Sequence, residues 1–115
     1  MPNPTEVAII KRDGSMSMYT DYASARASAV SNDRDMIQIR ADLDEPIILK
    51  DKVDIWIMPG VVINNTTGGA TVTDNNVAVI CTIYGEGIIK NTRDVGSTWY
   101  ECIKISNSNT ELSIE

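Results

Sequence analysis

The sequence predicts an all-β protein, a short parallel β-helix of two to three coils preceded by a β-hairpin and a capping α-helix. Three observations support this class: a repeated segment, an apolar content dominated by Ile and Val with no Phe, and an alanine-rich stretch before the repeats. β-Branched side chains favour strands. Repeats of short strands with a fixed period in the twenties are typical of solenoids, in which each repeat buries its apolar face by stacking on the next.

The repeat consists of segments 53–65 (VDIWIMPGVVINN) and 79–91 (VICTIYGEGIIKN), which align without a gap. Each copy reads as a strand, a tight turn, a shorter strand and an asparagine. The glycines Gly60 and Gly87 are expected to supply the bend between the two strands. The aligned pairs are Val53–Val79, Ile55–Cys81, Ile57–Ile83, Val62–Ile88, Ile63–Ile89 and Asn65–Asn91.

The residues before the repeat predict a cap for the first coil. Two strands, 5–12 and 15–19, flank Asp13-Gly14, a strong hairpin signal because both turn positions favour positive φ. A helix capped by Thr20 or Asp21 follows. The whole chain is therefore assigned to one domain, residues 1–115, with the hairpin in 1–20, the capping helix in 21–31 and the coils in 36–115.

One coil is expected to contain three short strands, 47–49, 53–57 and 61–63, each paired with the coil above and below rather than with its neighbour in sequence. A third coil begins near the C-terminus. There, Ile103 and Ile105 are expected to correspond to Ile47 and Leu49, and Leu112 and Ile114 to Ile55 and Ile57. The strand pattern runs to Glu115 without a second cap, so a missing C-terminal region, another subunit or a different protein is expected to cover the last coil.

The composition argues against several functions. A net charge of −6 without a basic stripe disfavours nucleic acid and polybasic membrane binding. No apolar run approaches the ~20 residues that span a bilayer, and the N-terminus does not resemble a signal peptide. The absence of histidine excludes the usual catalytic triads and makes the two cysteines a poor zinc site. Cys81 and Cys102 are expected to be thiols, with a disulfide possible if the fold brings them together.

The element order, with the segments MIQIR, EPIILKDKVDIWIMPGVVI and IYGEGII, resembles the start of right-handed parallel β-helix proteins of the pectin lyase-like class. The likeness covers residues 21–89. The preceding hairpin resembles the region before such domains in bacteriophage tail spikes and virion fibres. The resemblance implies right-handed coils and no catalytic residue that can be assigned to a position in this sequence.

The resemblance further implies a non-enzymatic structural or attachment module of a virion appendage, forming a homotrimer. Its partners would be other virion proteins or a host surface glycan. The alternative is the N-terminal fragment of a polysaccharide-degrading β-helix enzyme, a lyase or hydrolase whose active site lies outside these residues. In that case the location would be secreted or at a cell surface. No catalytic residue, cofactor or metal site is predicted.

The aromatic residues Trp56, Trp99 and Tyr100 are the candidate ligand or subunit contacts. Trp56 alternates with Ile55 and Ile57, so it faces out of the coil if those two point inward. An outward tryptophan can stack on a sugar or enter a subunit interface. The structural alternative is that the N-terminal hairpin or helix covers Trp56, and that the other two side chains simply pack.

Two sets of polar residues lie near the predicted corners. Asn65 and Asn91 occupy equivalent positions, where stacked side-chain amides can form a ladder between coils. Asp42, Asp44 and Glu45 form an acidic cluster, of the residue type that hydrolyses polysaccharides or binds calcium. A solvated turn is the simpler reading of that cluster.

Overall fold

This computed structural model describes residues 7–11, 13–31, 35–66, 69–91 and 102–115, together with the backbone of 94–95 and 98–99. Within them lie one helix and thirteen strands. The helix is α1 (Tyr22–Ser28). The strands are β1 (Val7–Ile10), β2 (Met16–Tyr19), β3 (Met36–Ile39), β4 (Ile47–Ile48), β5 (Asp54–Ile57), β6 (Val62–Asn64), β7 (Val72–Thr73), β8 (Ile80–Gly85), β9 (Ile88–Lys90), β10 (Asp94–Val95), β11 (Thr98–Trp99), β12 (Ile103–Lys104) and β13 (Glu111–Ile114).

The structure is mostly β-strand with one helix, as predicted, and its largest sheet, sheet A, combines parallel with antiparallel strands. Sheet A has the order β13-β8-β5-β3-β1-β2. Its strands β3, β5, β8 and β13 are parallel, whereas β1 is antiparallel to both β3 and β2. Sheet B pairs β6 with β9 in parallel, and a parallel bridge joins Leu43 to Ile63. Sheet C is the parallel set β12-β7-β4, and β10 and β11 form a separate antiparallel pair.

From β3 onward the chain visits these sheets in a repeating order. We call each run through sheets A, B and C a pass. The first pass consists of β3, Leu43 and β4, the second of β5, β6 and β7, and the third of β8, β9 and β12, after which the chain returns to sheet A at β13. Each of these strands therefore hydrogen-bonds to strands of the preceding or following pass, as the sequence predicted.

The register of the gapless repeat alignment holds in sheet B and is wrong in sheet A. Val62 pairs with Ile88, as the alignment predicts. In contrast, Ile55 pairs with Ile83 rather than Cys81, and Ile57 with Gly85 rather than Ile83, a shift of two residues. The cause is a shorter corner after β8: Val62 follows Ile57 by five positions, whereas Ile88 follows Gly85 by only three. A shift of two residues keeps the same side chains on the inner face, whereas a shift of one would turn them outward.

The predicted correspondence between the C-terminal strands and the first coil is confirmed in sheet C and is shifted by two residues in sheet A. Ile47 and Ile103 both pair with Val72, so they occupy equivalent positions as predicted. Ile114 pairs with Ile83 and therefore shares a row with Ile55, not with Ile57. The corner from sheet C to sheet A has the same length in the second and third passes. It is three residues longer there than in the first pass, where it leads from Ile47 to Ile55.

The core consists of the inward-facing residues of the three sheets together with the buried side of α1. Alternation along β5 buries Ile55 and Ile57 while Asp54 and Trp56 remain partly exposed. This alternation is expected when one face of a sheet covers the core. Other fully buried side chains include Tyr22, Ile9, Ile37, Ile39, Ile47, Leu49, Ile63, Val53, Val72 and Val79.

Helix α1 lies at the edge of sheet C and is shorter than predicted, since it ends at Ser28. Asp21 caps it by accepting from the Ser24 amide at 2.7 Å. β4 is the edge strand of sheet C, so its outer carbonyl groups need other partners. The Tyr22 hydroxyl donates to the Ile48 carbonyl at 2.7 Å, and Arg26 donates to the same oxygen at 2.8 Å.

Lys50 and a second hydrogen bond from Arg26 satisfy further carbonyl groups at this end of the molecule. Arg26 also donates to the Leu49 carbonyl, at 3.2 Å. Lys50 Nζ donates to the carbonyls of Arg26 and Ala29 at 2.8 and 2.6 Å, which satisfies the C-terminal end of α1. The hairpin β1–β2 covers the edge of β3 in sheet A, and an ion pair between Lys11 and Asp35 at 2.6 Å anchors it. Among the described residues no helix is long and apolar enough to cross a membrane.

Candidate functional site

The predicted contact residue Trp56 faces outward at the centre of sheet A. The strand register places it between Gln38 on β3 and Tyr84 on β8. Ile55 and Ile57, on either side of it, are buried, as the alternation predicted. Trp56 and Tyr84 are both partly exposed, so they form an aromatic pair on neighbouring strands about 4.8 Å apart. We call the row of Gln38, Trp56 and Tyr84 the aromatic row.

The hairpin and helix do not bury Trp56, because β3 separates it from β1 within the sheet. The indole instead packs on the backbone of Gly85. A Cβ atom added at Gly85 would stand 3.0 Å from Trp56 Cδ1. Tyr84 does not stand out in the sequence, because the gapless alignment sets it opposite Met58 rather than Trp56.

The other two aromatic candidates fall largely outside the described residues. Tyr100 lies outside them altogether. For Trp99 only the backbone is described, in β11, where it pairs with Asp94. Their proposed role as ligand or subunit contacts stays a prediction.

A second polar site, which the sequence analysis did not single out, is centred on Asp74 at the corner between sheets C and A. Its side chain is buried, with a residue exposure of 1%. The carboxylate accepts four hydrogen bonds, three of them from the third pass of the chain. The donors are the amides of Asn76 (3.0 Å), Ser106 (3.0 Å) and Asn107 (2.9 Å) and the Thr110 hydroxyl (2.8 Å).

These bonds reverse the effect of burial on Asp74. Loss of solvent alone would raise the pKa of the carboxyl group, but the amides of Ser106, Asn107 and Asn76 and the Thr110 hydroxyl stabilise the anion and lower the pKa to about 2. Asn75 and Asn76 both have positive φ, at 53° and 58°, which asparagine tolerates. The sequence signal for this corner is the run TDNN at 73–76, whose Asp and Asn residues are typical of a turn.

The acidic cluster of Asp42, Asp44 and Glu45 serves as a set of structural acceptors. Asp42 accepts from the Val62 amide at 2.8 Å, and Glu45 from the Ala23 amide at 3.1 Å. Asp44 accepts from the amide and hydroxyl of Thr66, which lower its pKa. These bonds tie the first pass to the second pass and to α1. The described residues contain no group of three or more Cys, Asp or Glu side chains arranged to hold a metal ion.

Asn65 and Asn91 both bind one loop of the second pass. The side-chain amide of Asn65 donates to the Ala70 carbonyl at 3.0 Å, and that of Asn91 to the neighbouring Gly69 carbonyl at 2.9 Å. Asn65 is fully buried. The Thr71 hydroxyl in the same loop donates to the Lys90 carbonyl at 2.7 Å. The two asparagines therefore hold the loop from successive passes, and a direct amide ladder between them stays a prediction.

The glycines in the corner between β8 and β9 have roles that differ from the expectation. Gly60 has positive φ (79°), as expected for a bend, but in the second copy the positive φ belongs to Gly85 (113°) and not to Gly87. Gly87 is required for space, because an added Cβ would overlap the Cγ2 atom of Ile57. Ile57 pairs with Gly85, so its side chain lies over this corner.

The two cysteines are thiols, and no disulfide joins them. Cys81 is buried in the core beneath β13, where it pairs with Leu112. Cys102 Sγ lies 3.2 Å from the Ile89 carbonyl oxygen, and burial raises the pKa of this thiol. A raised pKa disfavours the thiolate, the reactive form, so the structure gives Cys102 a packing role.

In comparisons with known proteins, no family model, no curated protein and no solved structure matches this chain.

Proposed function

We propose that this protein is a structural or attachment module of a phage or other virion appendage, a tail spike or fibre, built as a short right-handed parallel β-helix. The observation that carries the proposal is the order in which the chain visits sheets A, B and C, repeated over successive passes. Closing these three parallel ladders around one core gives a three-sided solenoid. The appendage itself is suggested by the resemblance of the N-terminal hairpin to the region before such domains in tail spikes and virion fibres.

The mechanical role follows from how the passes are joined. Backbone ladders connect neighbouring passes in all three sheets, and buried side chains reinforce the corners. Asp74 joins the second and third passes, while Asn91 and Thr71 join β9 to the loop above it. Each pass contacts only its neighbours, so force applied along the stack acts on every interface between passes. Within each interface the force is shared among these bonds. A stiff spacer needs this property.

The N-terminal end supports a module with one finished end. Helix α1 satisfies the outer carbonyls of β4, and β1 pairs with the outer edge of β3. Such caps are what terminal repeats of solenoids require. At the other end, Ile114 is 60% exposed and Ile105 is 39% exposed, which is where assembly with further protein is proposed.

The proposal includes a trimer, and the mass of the protein in solution tests it. Sedimentation equilibrium over a range of concentrations is expected to give three times the mass of the chain, which is 12.6 kDa. A monodisperse monomer would contradict the trimeric assembly.

Hydrogen exchange tests the solenoid separately. Amides in all three sheets should be protected together, and protection confined to sheet A would contradict a closed stack.

The non-enzymatic part of the proposal has its own test. The protein is incubated with neutral and acidic polysaccharides, and new reducing ends and unsaturated sugar products are measured. No turnover above buffer is expected. Turnover that is lost when one specific pair of carboxylates is replaced would overturn the structural role in favour of a polysaccharide-degrading enzyme.

A further inference from the structure

The outward face of sheet A differs in character from the rest of the surface. On strands β3, β5 and β8 it presents two aromatic rings, two apolar side chains and three polar ones. They are Met36, Gln38, Asp54, Trp56, Ile80, Thr82 and Tyr84. Sheet B carries more charge on its outer side, where a groove is lined by Asp42, Asp44 and Lys90 together with Asn64, Thr66, Leu43 and Val62. Binding sites for small uncharged molecules are mostly apolar and aromatic, with a few well-placed polar groups, so the face of sheet A has the composition of a site.

The aromatic row is held in place before any ligand arrives. The Trp56 indole packs on Gly85, whose lack of a side chain provides room for it. Gln38, next in the row, is 7% exposed, and its amide nitrogen lies 3.2 Å from Met58 Sδ. Side chains fixed in this way lose little conformational entropy when a ligand binds.

The charges on this face favour a neutral ligand. Asp54 is the one charged residue on these three strands that faces outward, and its carboxylate already accepts from the Thr82 amide at 2.9 Å. Beyond Tyr84, the exposed residues Glu111 and Glu115 border the face. On the opposite border, Arg40 is turned toward Met18 Sδ at 3.8 Å. An anionic ligand would meet more carboxylates than cations here, and like charges repel.

The size of the face suits a small ligand. Four parallel strands of four residues span roughly 250 Å² in projection at the usual strand spacing and rise, which matches a few sugar rings laid across the strands. Neighbouring strands are about 4.8 Å apart, comparable to the length of one pyranose ring.

We propose that the aromatic row on sheet A is a binding site for a neutral oligosaccharide, with Trp56 and Tyr84 stacking on successive sugar rings. The apolar C–H face of each ring would lie on an aromatic side chain. Its hydroxyl groups would reach the Tyr84 and Thr82 hydroxyls. No bond is broken in this role. The inference goes beyond the structural role proposed above and requires that sheet A remain accessible in the assembly.

Titration calorimetry with defined hexasaccharides tests the site. The probes are the neutral β-1,4-glucan, α-1,4-glucan and β-1,4-mannan hexasaccharides and the anionic α-1,4-galacturonate hexasaccharide. At least one neutral probe is expected to bind with a Kd of about 1 mM or lower, and at least tenfold more tightly than the galacturonate. If no neutral probe binds below about 10 mM, or if the galacturonate binds equally well, the proposal is overturned.

Variants place the binding at the aromatic row. Trp56→Ala and Tyr84→Ala are each expected to weaken the best neutral probe about tenfold or more, the loss expected for one aromatic contact. The matched control is Ile88→Ala, which removes an exposed apolar side chain (51%) from sheet B and should leave the affinity unchanged. Equal losses in all three variants, or no loss in Tyr84→Ala, would overturn the site. If Trp56→Ala does not fold, Trp56→Phe and Tyr84→Ala provide the test.

A spectroscopic readout separates this inference from the structural proposal. The chain has two tryptophans, so Trp99→Phe leaves Trp56 as the single emitter. Its emission should shift when the neutral probe is added. Sedimentation mass is measured on the same samples. A trimer that binds no sugar contradicts only this inference, a monomer that binds sugar contradicts only the trimer, and a change of mass in Trp56→Ala without sugar binding would make this face a subunit contact.

Discussion

The Thr110 hydroxyl donates a 2.8 Å hydrogen bond to the buried carboxylate of Asp74, which lies 36 residues earlier in the chain. Together with the amides of Ser106 and Asn107, this bond holds the turn before β13 against the turn before β8. The two corners that this contact joins are of equal length, 11 positions from Val72 to Ile83 and from Ile103 to Ile114. The third pass is therefore fixed by one side chain of the second, as well as by its backbone pairing.

Replacing Asp74 with asparagine should lower the free energy of unfolding by about 2 kcal/mol at pH 7. An amide has one acceptor oxygen and no charge. Oδ1 accepts from the Asn76 and Ser106 amides, and Oδ2 from the Asn107 amide and the Thr110 hydroxyl, so one of these pairs of donors loses its acceptor. Urea denaturation followed by circular dichroism measures the loss. The matched control is Asp51→Asn, since Asp51 accepts one exposed bond from the Ile80 amide at 2.9 Å. It should cost less than about 1 kcal/mol, and equal losses would contradict the special role of Asp74.

The stability of the protein should fall in acid because of the same carboxylate. Its pKa is lowered in the folded state to about 2, from the usual 3.8. A lowered pKa contributes stability that is fully present above the unfolded value and is lost as the pH falls through the folded value. The free energy of unfolding should therefore decline between about pH 5 and pH 2 by about 2 kcal/mol from this group. The decline should be smaller in Asp74→Asn, and parallel curves for the two proteins would refute this assignment.

Gly87→Ala should destabilise the protein by about 3 kcal/mol, because the new methyl group overlaps the side chain of Ile57. Gly60→Ala is the matched control. It sits at a bend with positive φ but has nothing within 4 Å of an added Cβ, so it should cost only about 1 kcal/mol. Thermal unfolding compares the two. If the clash is the cause, the double variant Gly87→Ala/Ile57→Ala should be more stable than the sum of the single changes predicts, and strict additivity would argue against it.

Arg26→Met should lower the free energy of unfolding by about 1 to 2 kcal/mol. The substitution keeps most of the apolar stem but removes the donors that satisfy the carbonyls of Ile48 and Leu49 at the edge of sheet C. Arg40→Met is the control, since Arg40 is exposed and its guanidinium lies against the Met18 sulfur. Hydrogen exchange in β4 should rise in the first variant and not in the second. Unchanged exchange in Arg26→Met would mean that the helix does not protect this edge.

Much of the local structure could be predicted because it depends on patterns a few residues long. Alternation identified the strands around Ile55 and Ile63, Asp13-Gly14 identified the hairpin, and Asp21 identified the start of the helix. The helix end was placed three residues too late, because alanine continues the helical pattern to Ala29 while the chain must turn back toward β3. The right-handed closed solenoid stays a proposal.

The candidate site could be predicted only in part. Trp56 was found because it alternates with buried isoleucines, a signal contained in one strand. Tyr84 was missed, because identifying its partner requires the pairing between two strands. The role of Asp74 was missed for a similar reason, since three of its four donors belong to the next pass of the chain.

The sequence by itself determined that the chain forms short strands with one buried face, an N-terminal hairpin and a helix, because side-chain alternation and turn residues act locally. Only the tertiary structure decided the register between passes. A two-residue shift preserves which side chains point inward, so the hydrophobic pattern cannot tell whether Ile55 pairs with Cys81 or with Ile83. Corner lengths and the contact of Ile57 with the glycine corner make that choice, and it sets Trp56 beside Tyr84.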